Sequence, residues 1–118
     1  MQLLSIEQGK SIRLAGELDM SNASQLREVL DVAVAHGGTI LVDLRELTFM
    51  DSTGINVFLR SAIALDGRGC LILHGEQNGV RRVLDLVGLD GSIQNLHRVN
   101  HHIALGSNGF HPEHLQAG

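Results

Sequence analysis

Apolar residues at helical spacing alternate along the chain with short, nearly continuous apolar runs, and this alternation restricts the fold more than any other feature of the sequence. The first helical stripe comprises Leu26, Val29, Leu30 and Ala33, which follow the i, i+3, i+4, i+7 rule. The run TILVDL at residues 39–44 is rich in β-branched residues and is typical of a covered central strand. Alternating strands and helices of this kind predict an α/β fold, a mixed β-sheet with helices packed on it.

The predicted order of elements is β-β-α-β-α-β-α, followed by one more short strand. Residues 1–7 and 10–18 are predicted strands separated by a short turn, so they can pair as an antiparallel hairpin. The later elements are a helix with its apolar stripe at residues 55–62, a strand over 70–74, a helix that ends at Gly88 and a short strand over 93–96.

The start of the first helix is predicted from Asn22 and Gln25, which have the spacing of a capping box. In that motif the first side chain accepts a hydrogen bond from the amide N–H three residues further on. Gly37 and Gly38 follow the apolar stripe and predict the end of the helix, because glycine readily adopts the left-handed conformation found there.

The length of 118 residues and the hydrophobic fraction of 43% are sufficient for one domain with an aliphatic core. We assign residues 1–99 to this domain. From residue 100 onward, turn-forming residues replace the periodic pattern, so residues 100–118 are expected to form a loosely ordered tail.

Composition and charge disfavour several classes of function. The formal net charge is −4, and no cluster of Lys and Arg is available to neutralise nucleic-acid phosphates. A single cysteine, Cys70, cannot form an internal disulfide, so nothing indicates an oxidising compartment. Neither a secretory signal nor an apolar run of the ~20 residues needed to span a bilayer is found. We expect a cytoplasmic protein without membrane insertion that binds another protein or a small ligand.

The stretch FMDSTGIN at residues 49–56 places one carboxylate, two hydroxyls and a glycine between two apolar segments. Asp51 or Ser52 can cap the following helix, because each has a side-chain oxygen that accepts hydrogen bonds. The helix start also exposes backbone N–H groups and the positive end of the helix dipole. Gly54 is expected to leave room for a ligand or another backbone to approach. The motif alone leaves three roles open: a helix cap, a catalytic acid, or a hydroxyl that another protein modifies.

Enzymatic and metal sites are disfavoured. DSTG resembles the Asp-Thr-Gly of aspartic proteases, but the extra serine interrupts that triplet and the predicted helices do not fit an all-β protease. Ser52 is not in a G-x-S-x-G elbow, and nothing orients a base such as His74 toward it. Histidines near the C-terminal end lack the tight, fixed spacing of zinc ligands, so we expect no metal and no cofactor. These histidines are His97, His101, His102, His111 and His114.

Three stretches together resemble a known family. They are LAGELDMSNASQLREVL at residues 14–30, LVDLRELTFMDSTGINVFLRS at 41–61 and GVRRVLDLVGLD at 79–90. In this order and spacing they are similar to a STAS domain, most closely to a bacterial anti-sigma factor antagonist, over residues 1–96. The resemblance implies a single domain with a small mixed sheet and helices packed mainly on one side.

The resemblance also implies a function. In such proteins the serine of Asp-Ser-[Ser/Thr]-Gly is phosphorylated by an anti-sigma factor that is itself a Ser/Thr kinase. The unphosphorylated antagonist binds that anti-sigma factor and frees a sigma factor, and a phosphatase resets the switch. Carried over to this chain, Ser52 is the phosphoacceptor with Thr53 as second choice, and Asp19 is the carboxylate of the first loop.

The partner-binding surface implied in this way comprises two loops. An alternative from the same family is a STAS binding module of a lipid-transport or stress-signalling complex, in which the serine is not phosphorylated. The oligomeric state stays open, with a dimer as one option. The surface residues are Asp19, Met20, Ser21, Asn22, Asp51, Ser52, Thr53, Gly54 and Asn56.

Removal of residues 110–118 is expected to leave the melting temperature nearly unchanged, because a loosely ordered tail buries little apolar surface. Thermal unfolding followed by circular dichroism measures this. A loss of several degrees would show that the segment belongs to the core.

Overall fold

The computed structural model of the chain describes residues 1–7, 10–86 and 95–99. Within these ranges the chain forms an α/β fold in the predicted order. The elements are β1 (Gln2–Glu7), β2 (Ser11–Leu18), α1 (Ala23–His36), β3 (Gly38–Met50), α2 (Ser52–Ala64), β4 (Gly69–His74), α3 (Asn78–Leu86) and β5 (Leu96–Val99).

Three predictions fall on parts of the chain that are not described. One of them is the end of the third helix at Gly88. The tail over residues 100–118, with four of the five histidines singled out above, lies outside the described residues, as do Ile93 and Gln94 of the predicted last strand. None of the helices in the described ranges has the length and apolar character that crossing a bilayer requires.

The sheet is mixed, and its strand order is β1-β2-β3-β4-β5. β1 pairs with β2 in antiparallel orientation, which confirms the predicted hairpin. The remaining neighbours, β2 with β3, β3 with β4 and β4 with β5, are parallel. Because parallel strands end at the same edge, the loops that lead from β2 into α1 and from β3 into α2 emerge side by side.

One core lies between the helices and one face of the sheet. Val42 and Leu44 of β3 and Leu71 and Leu73 of β4 belong to it. Alternate side chains of a strand point to opposite faces. Since all three helices of the described chain share this one cluster, they lie on the same face, as the resemblance implied. Their core residues are Ala23, Leu26, Leu30, Ala33 and Val34 of α1, Ile55, Val57, Phe58 and Ala62 of α2, and Val80 and Leu84 of α3.

Two strands differ from the prediction. β3 does not end at Leu44 but continues to Met50, and its last residue pairs with Leu18 of β2. The prediction ended the strand early because the apolar pattern is interrupted at Arg45 and Glu46. Both residues are exposed and lie where the register between β3 and β2 shifts, and the strand continues beyond them. β5 occupies Leu96–Val99, whereas the prediction ended at Leu96.

Two apolar residues on opposite faces of α1 test the position of the core. Leu30 has 0% of its surface exposed and Val32 has 62%. Leu30→Ala should lower the free energy of unfolding by about 2–5 kcal/mol, because it removes buried methyl groups and leaves a cavity. Val32→Ala should change it by less than about 0.5 kcal/mol. Urea unfolding of both variants measures this, and equal losses would contradict the placement of α1.

Candidate functional site

The loops after β2 and β3 meet at one edge of the sheet and bring the two predicted halves of the site together. The Asp51 N–H donates a hydrogen bond to the Leu18 carbonyl at 3.1 Å. The backbone of Met20, in the first loop, contributes to lowering the pKa of Asp51, which lies in the second. Residues 19–22 and 51–56 therefore form one surface, although about thirty residues separate them in sequence.

Asp51 is the N-cap of α2. Its Oδ1 accepts a hydrogen bond from the Thr53 amide at 2.9 Å, and the Thr53 hydroxyl donates to the same oxygen. The sequence left Asp51 and Ser52 as alternative caps, and the structure selects Asp51, with Ser52 as the first residue of the helix. The carboxylate thus satisfies an amide that would otherwise have no partner within the helix.

The Asp51 carboxyl group is held in its charged form by these contacts. The Thr53 hydroxyl is the largest cause that lowers the pKa of Asp51 below its ordinary value. Partial burial acts in the opposite direction, but the amides of Thr53, Gly54 and Met20 add to the lowering. The surface beside Ser52 therefore carries a full negative charge at neutral pH.

The two candidate hydroxyls are in different environments. Ser52 is exposed, and its hydroxyl makes no hydrogen bond to any residue in the described ranges. Thr53 is half-buried, and its hydroxyl donates to Asp51. A modifying enzyme can reach the Ser52 hydroxyl without breaking an existing interaction, whereas reaching Thr53 disrupts the cap.

The first loop is held by its own side chains. The Asp19 carboxylate accepts hydrogen bonds from the Ser21 amide at 2.9 Å and from the Ser21 hydroxyl at 2.6 Å. Asn22 precedes α1 as predicted, but it makes no capping-box bond. Its side chain instead accepts from the Asp19 amide at 3.0 Å and donates to the Glu17 carbonyl at 2.9 Å. Asn22 therefore fixes the loop rather than the helix end.

Gly54 has a different role from the predicted one. It is buried, and a Cβ placed on it would lie 2.6 Å from Leu18 Cδ2 and 2.7 Å from Met50 Cγ. The space beside Gly54 is therefore filled by two core side chains, and no ligand or partner backbone can enter it. The missing side chain lets α2 begin close to the ends of β2 and β3.

Apolar side chains lie beside the acidic groups of the two loops. Met20 is 79% exposed and Phe49, the residue before Met50 in β3, is 44% exposed. Exposed apolar residues of this kind are frequent in the centre of protein–protein interfaces. Phe49 was not among the predicted site residues. Strand alternation could have revealed it, because Phe49 and the buried Met50 must face opposite sides once β3 is extended this far.

The sequence disfavours His74 as a base for Ser52, and the structure does not place His74 next to Ser52. His74 pairs with Asp43 in the sheet, and its Nδ1 lies 4.0 Å from the Asp43 carboxylate. Asp43 precedes Met50 by seven residues of β3, or roughly 20 Å at the rise of a β-strand. Burial raises the pKa of Asp43, but hydrogen bonds from Arg45 outweigh this and leave the pKa below its ordinary value. His74 thus adjoins a charged pair away from the loops.

Comparisons with known proteins agree with this fold. The family model described as "Mlab, STAS domain" matches residues 5–98. The anti-sigma-B factor antagonist of Listeria monocytogenes is 35% identical over 70% of this chain and 75% of its own length. The solved structure of the anti-sigma factor antagonist SpoIIAA in its unphosphorylated form is 28% identical with a TM-score of 0.63, covering 82% of this chain and 85% of that one. The phosphorylated form of Bacillus SpoIIAA is 27% identical with a TM-score of 0.58, covering 82% and 88%.

Substitution of Asp51 separates its capping role from its charge. Asp51→Ala should destabilise the protein by about 1 kcal/mol at pH 7, because the cap is lost. Asp51→Asn keeps a capping oxygen and should cost less. Because the folded-state pKa of Asp51 is lowered, the contribution of its charge is present above the unfolded pKa of about 3.9 and is lost as the pH falls through the folded value.

The measurement is urea unfolding of the wild type and both variants between pH 7 and pH 3. The difference between the wild type and Asp51→Asn should shrink as the pH falls below about 4. A difference that stays constant or grows on acidification would contradict a charged, hydrogen-bonded Asp51.

Proposed function

The chain belongs to the STAS domain family, and from that premise we propose that it is an anti-sigma factor antagonist. It binds an anti-sigma factor of the Ser/Thr kinase type and so releases a sigma factor for transcription. Phosphorylation of Ser52 abolishes this binding, and a phosphatase restores it. Relatives that carry the name anti-sigma-B factor antagonist, together with the likeness to SpoIIAA, support the proposal.

The observation that carries the proposal is the exposed hydroxyl of Ser52 at the first position of α2, which has no hydrogen-bond partner within the described ranges. Its neighbour Thr53 is tied to Asp51, so the motif offers one accessible hydroxyl and one occupied hydroxyl. The structurally similar SpoIIAA has been solved in a phosphorylated form, which supports a modification of the same kind here. Ser52 is therefore the acceptor that we propose.

A phosphate on Ser52 would change the surface without unfolding the domain. It adds a charge of about −1.5 to −2 at neutral pH. The start of α2 tolerates this charge, because the helix dipole and the nearby amides favour an anion there. A partner that fits the uncharged serine would instead meet a phosphate next to the carboxylates of Asp19 and Asp51. The switch would operate by repulsion and desolvation at the interface.

The binding surface that we propose consists of the two loops and the first turns of their helices. Met20, Ser21, Ser52 and Asn56 are exposed on it, while Asp19 and Asp51 hold its shape. Gly54 contributes by its position in the core rather than by contact with the partner. We infer no catalytic activity of the chain's own, because no base adjoins Ser52 among the residues that the structure describes. Regulation of a sigma factor implies a cytoplasmic location.

A second candidate is a STAS binding module of a lipid-transport or stress-signalling complex that is not phosphorylated. The observation in its favour is the description of the matching family model, which names Mlab rather than an antagonist of an anti-sigma factor. In this case the same loops would bind a partner constitutively.

Three variants test the switch in binding titrations against kinase-type anti-sigma factors from the same organism. Ser52→Asp should weaken binding at least tenfold, because an unfavourable charge at an interface costs more than about 1.4 kcal/mol. Ser52→Ala should bind like the wild type and accept no phosphate from the kinase and ATP. Thr53→Ala should still accept one phosphate, as seen in the intact mass.

Circular dichroism of each variant provides the control for folding. If Ser52→Asp binds as tightly as the wild type while Thr53→Ala is no longer phosphorylated, Thr53 is the acceptor and the assignment of Ser52 is wrong. If the wild type binds no anti-sigma factor of this type, the second candidate is favoured.

A further inference from the structure

A groove of about 340 Å³ runs between α1 and α2 and begins beside the switch serine. Both helices start at the edge where β2 and β3 end and lead back to the start of the next parallel strand, so they run in the same direction. Ser24 of α1 and Thr53 of α2 lie at the end of the groove where the helices begin, and Val34 and Ala64 lie at the other end. The positive ends of both helix dipoles therefore meet at the end nearest Ser52.

Each wall of the groove carries an arginine. Arg27 on α1 and Arg60 on α2 both line it and are both exposed. Neither guanidinium makes a hydrogen bond or ion pair with any residue in the part of the chain that the structure describes. By contrast, Arg13 binds Glu46 and Arg45 binds Asp43.

The charge balance of the groove differs from that of the whole chain. Two arginines and one carboxylate, Asp31, line the groove, whereas the chain carries a formal net charge of −4. Asp31 follows Arg27 by one helical turn, yet no ion pair within 4.0 Å joins the two side chains. The guanidinium groups of Arg27 and Arg60, which have no partner in the described part of the chain, outnumber the one carboxylate of the groove. The groove is therefore locally positive on an acidic protein, a pattern that complements a negatively charged ligand.

We propose that this groove docks an acidic segment of the protein partner. The identification of that partner as an anti-sigma factor rests on the function proposed above. Carboxylates of the segment pair with Arg27 and Arg60, and small apolar side chains of the segment pack over Val57 and Ala64. Arginine suits this role because its planar group binds carboxylates with two parallel hydrogen bonds.

Through this docking site, phosphorylation of Ser52 would weaken partner binding in the groove as well as at the two loops. Thr53 lines the groove and is adjacent to Ser52, so a phosphate on Ser52 adds negative charge where an acidic segment enters. The phosphate adds to the negative charge of Asp19 and Asp51 at that end of the groove and repels the segment. The charge of the phosphate on Ser52 thus weakens binding along α2 and not only at the loops.

A peptide experiment tests the groove without the native partner. The probe is a blocked peptide of alternating acidic and apolar residues, EELAEELAEE, and its control has lysine in place of every glutamate. Binding is followed by the amide chemical shifts of the protein. The acidic probe should shift amides along the facing sides of α1 and α2, and the basic control should not. Rising salt should weaken the binding, because the pairing is electrostatic and exposed.

Four charge-changing variants test whether the acidic probe binds through the arginines of the groove. Arg27→Gln and Arg60→Gln should each weaken the acidic probe about threefold, the effect of losing one exposed ion pair. Asp31→Asn should strengthen it. Arg82→Gln is the matched control, because Arg82 is an exposed arginine of α3 outside the groove and also lacks a partner among the described residues. Equal affinities for all four variants, or shifts outside the two helices, would overturn the proposal.

The same variants are then titrated with the anti-sigma factor to separate the two proposals. Loss of affinity in Arg27→Gln and Arg60→Gln, with Arg82→Gln unchanged, supports the groove as part of that interface. If all variants bind the anti-sigma factor equally, the groove proposal is wrong while the proposed function stands. If the acidic probe binds in the groove and no anti-sigma factor binds the wild type, the proposed function fails and the docking site remains.

Discussion

The carboxylate of Asp51 organises the whole site, because it interacts with both loops. It accepts hydrogen bonds from the amide and hydroxyl of Thr53, and the amide of Met20 in the neighbouring loop stabilises its charge. The Asp51 backbone N–H in turn binds the end of β2 at Leu18. Asp51 therefore caps α2 and joins the two loops. It also engages the Thr53 hydroxyl in a hydrogen bond, which makes this hydroxyl less available for modification than that of Ser52. Ser52, between these two residues, is exposed.

Much of the fold follows from local patterns. The helical stripes and the buried run at residues 39–44 predicted the helices and central strands, because periodicity reports which side chains face a core. The end of β3 was missed, since Arg45 and Glu46 lie at a register shift that depends on pairing with β2 and leaves no trace in the local pattern. The position of the DSTG motif at the start of a helix was predictable from its residues. The packing around Gly54 was not predictable, because Leu18 comes close to it only in the folded chain. Asn22 has the spacing of a capping box, but its side chain binds Asp19 and Glu17, three and five residues earlier, and the spacing alone does not distinguish the two arrangements.

The contacts of the site divide its residues into those that hold shape and those that face solvent. Asp19, Asn22 and Gly54 are committed to loop or core contacts, whereas Met20 and Phe49 expose apolar surface. In the proposed interface, a partner would meet charges held by hydrogen bonds, together with exposed apolar side chains. In such an arrangement the charges determine which partners are accepted, and the apolar groups provide much of the affinity.

The parallel pairing of β2 with β3 has a consequence for protein synthesis. In the chain, α1 lies between β2 and β3. The loops that hold Asp19 and Ser52 therefore come together only after β3 has been synthesised and has paired with β2. A nascent chain or a misfolded copy presents the DSTG segment as a linear peptide, without the first loop and without the helix that orients the serine. If a partner binds both loops at once, as proposed, it would not bind incomplete copies, and binding would depend on completion of the fold.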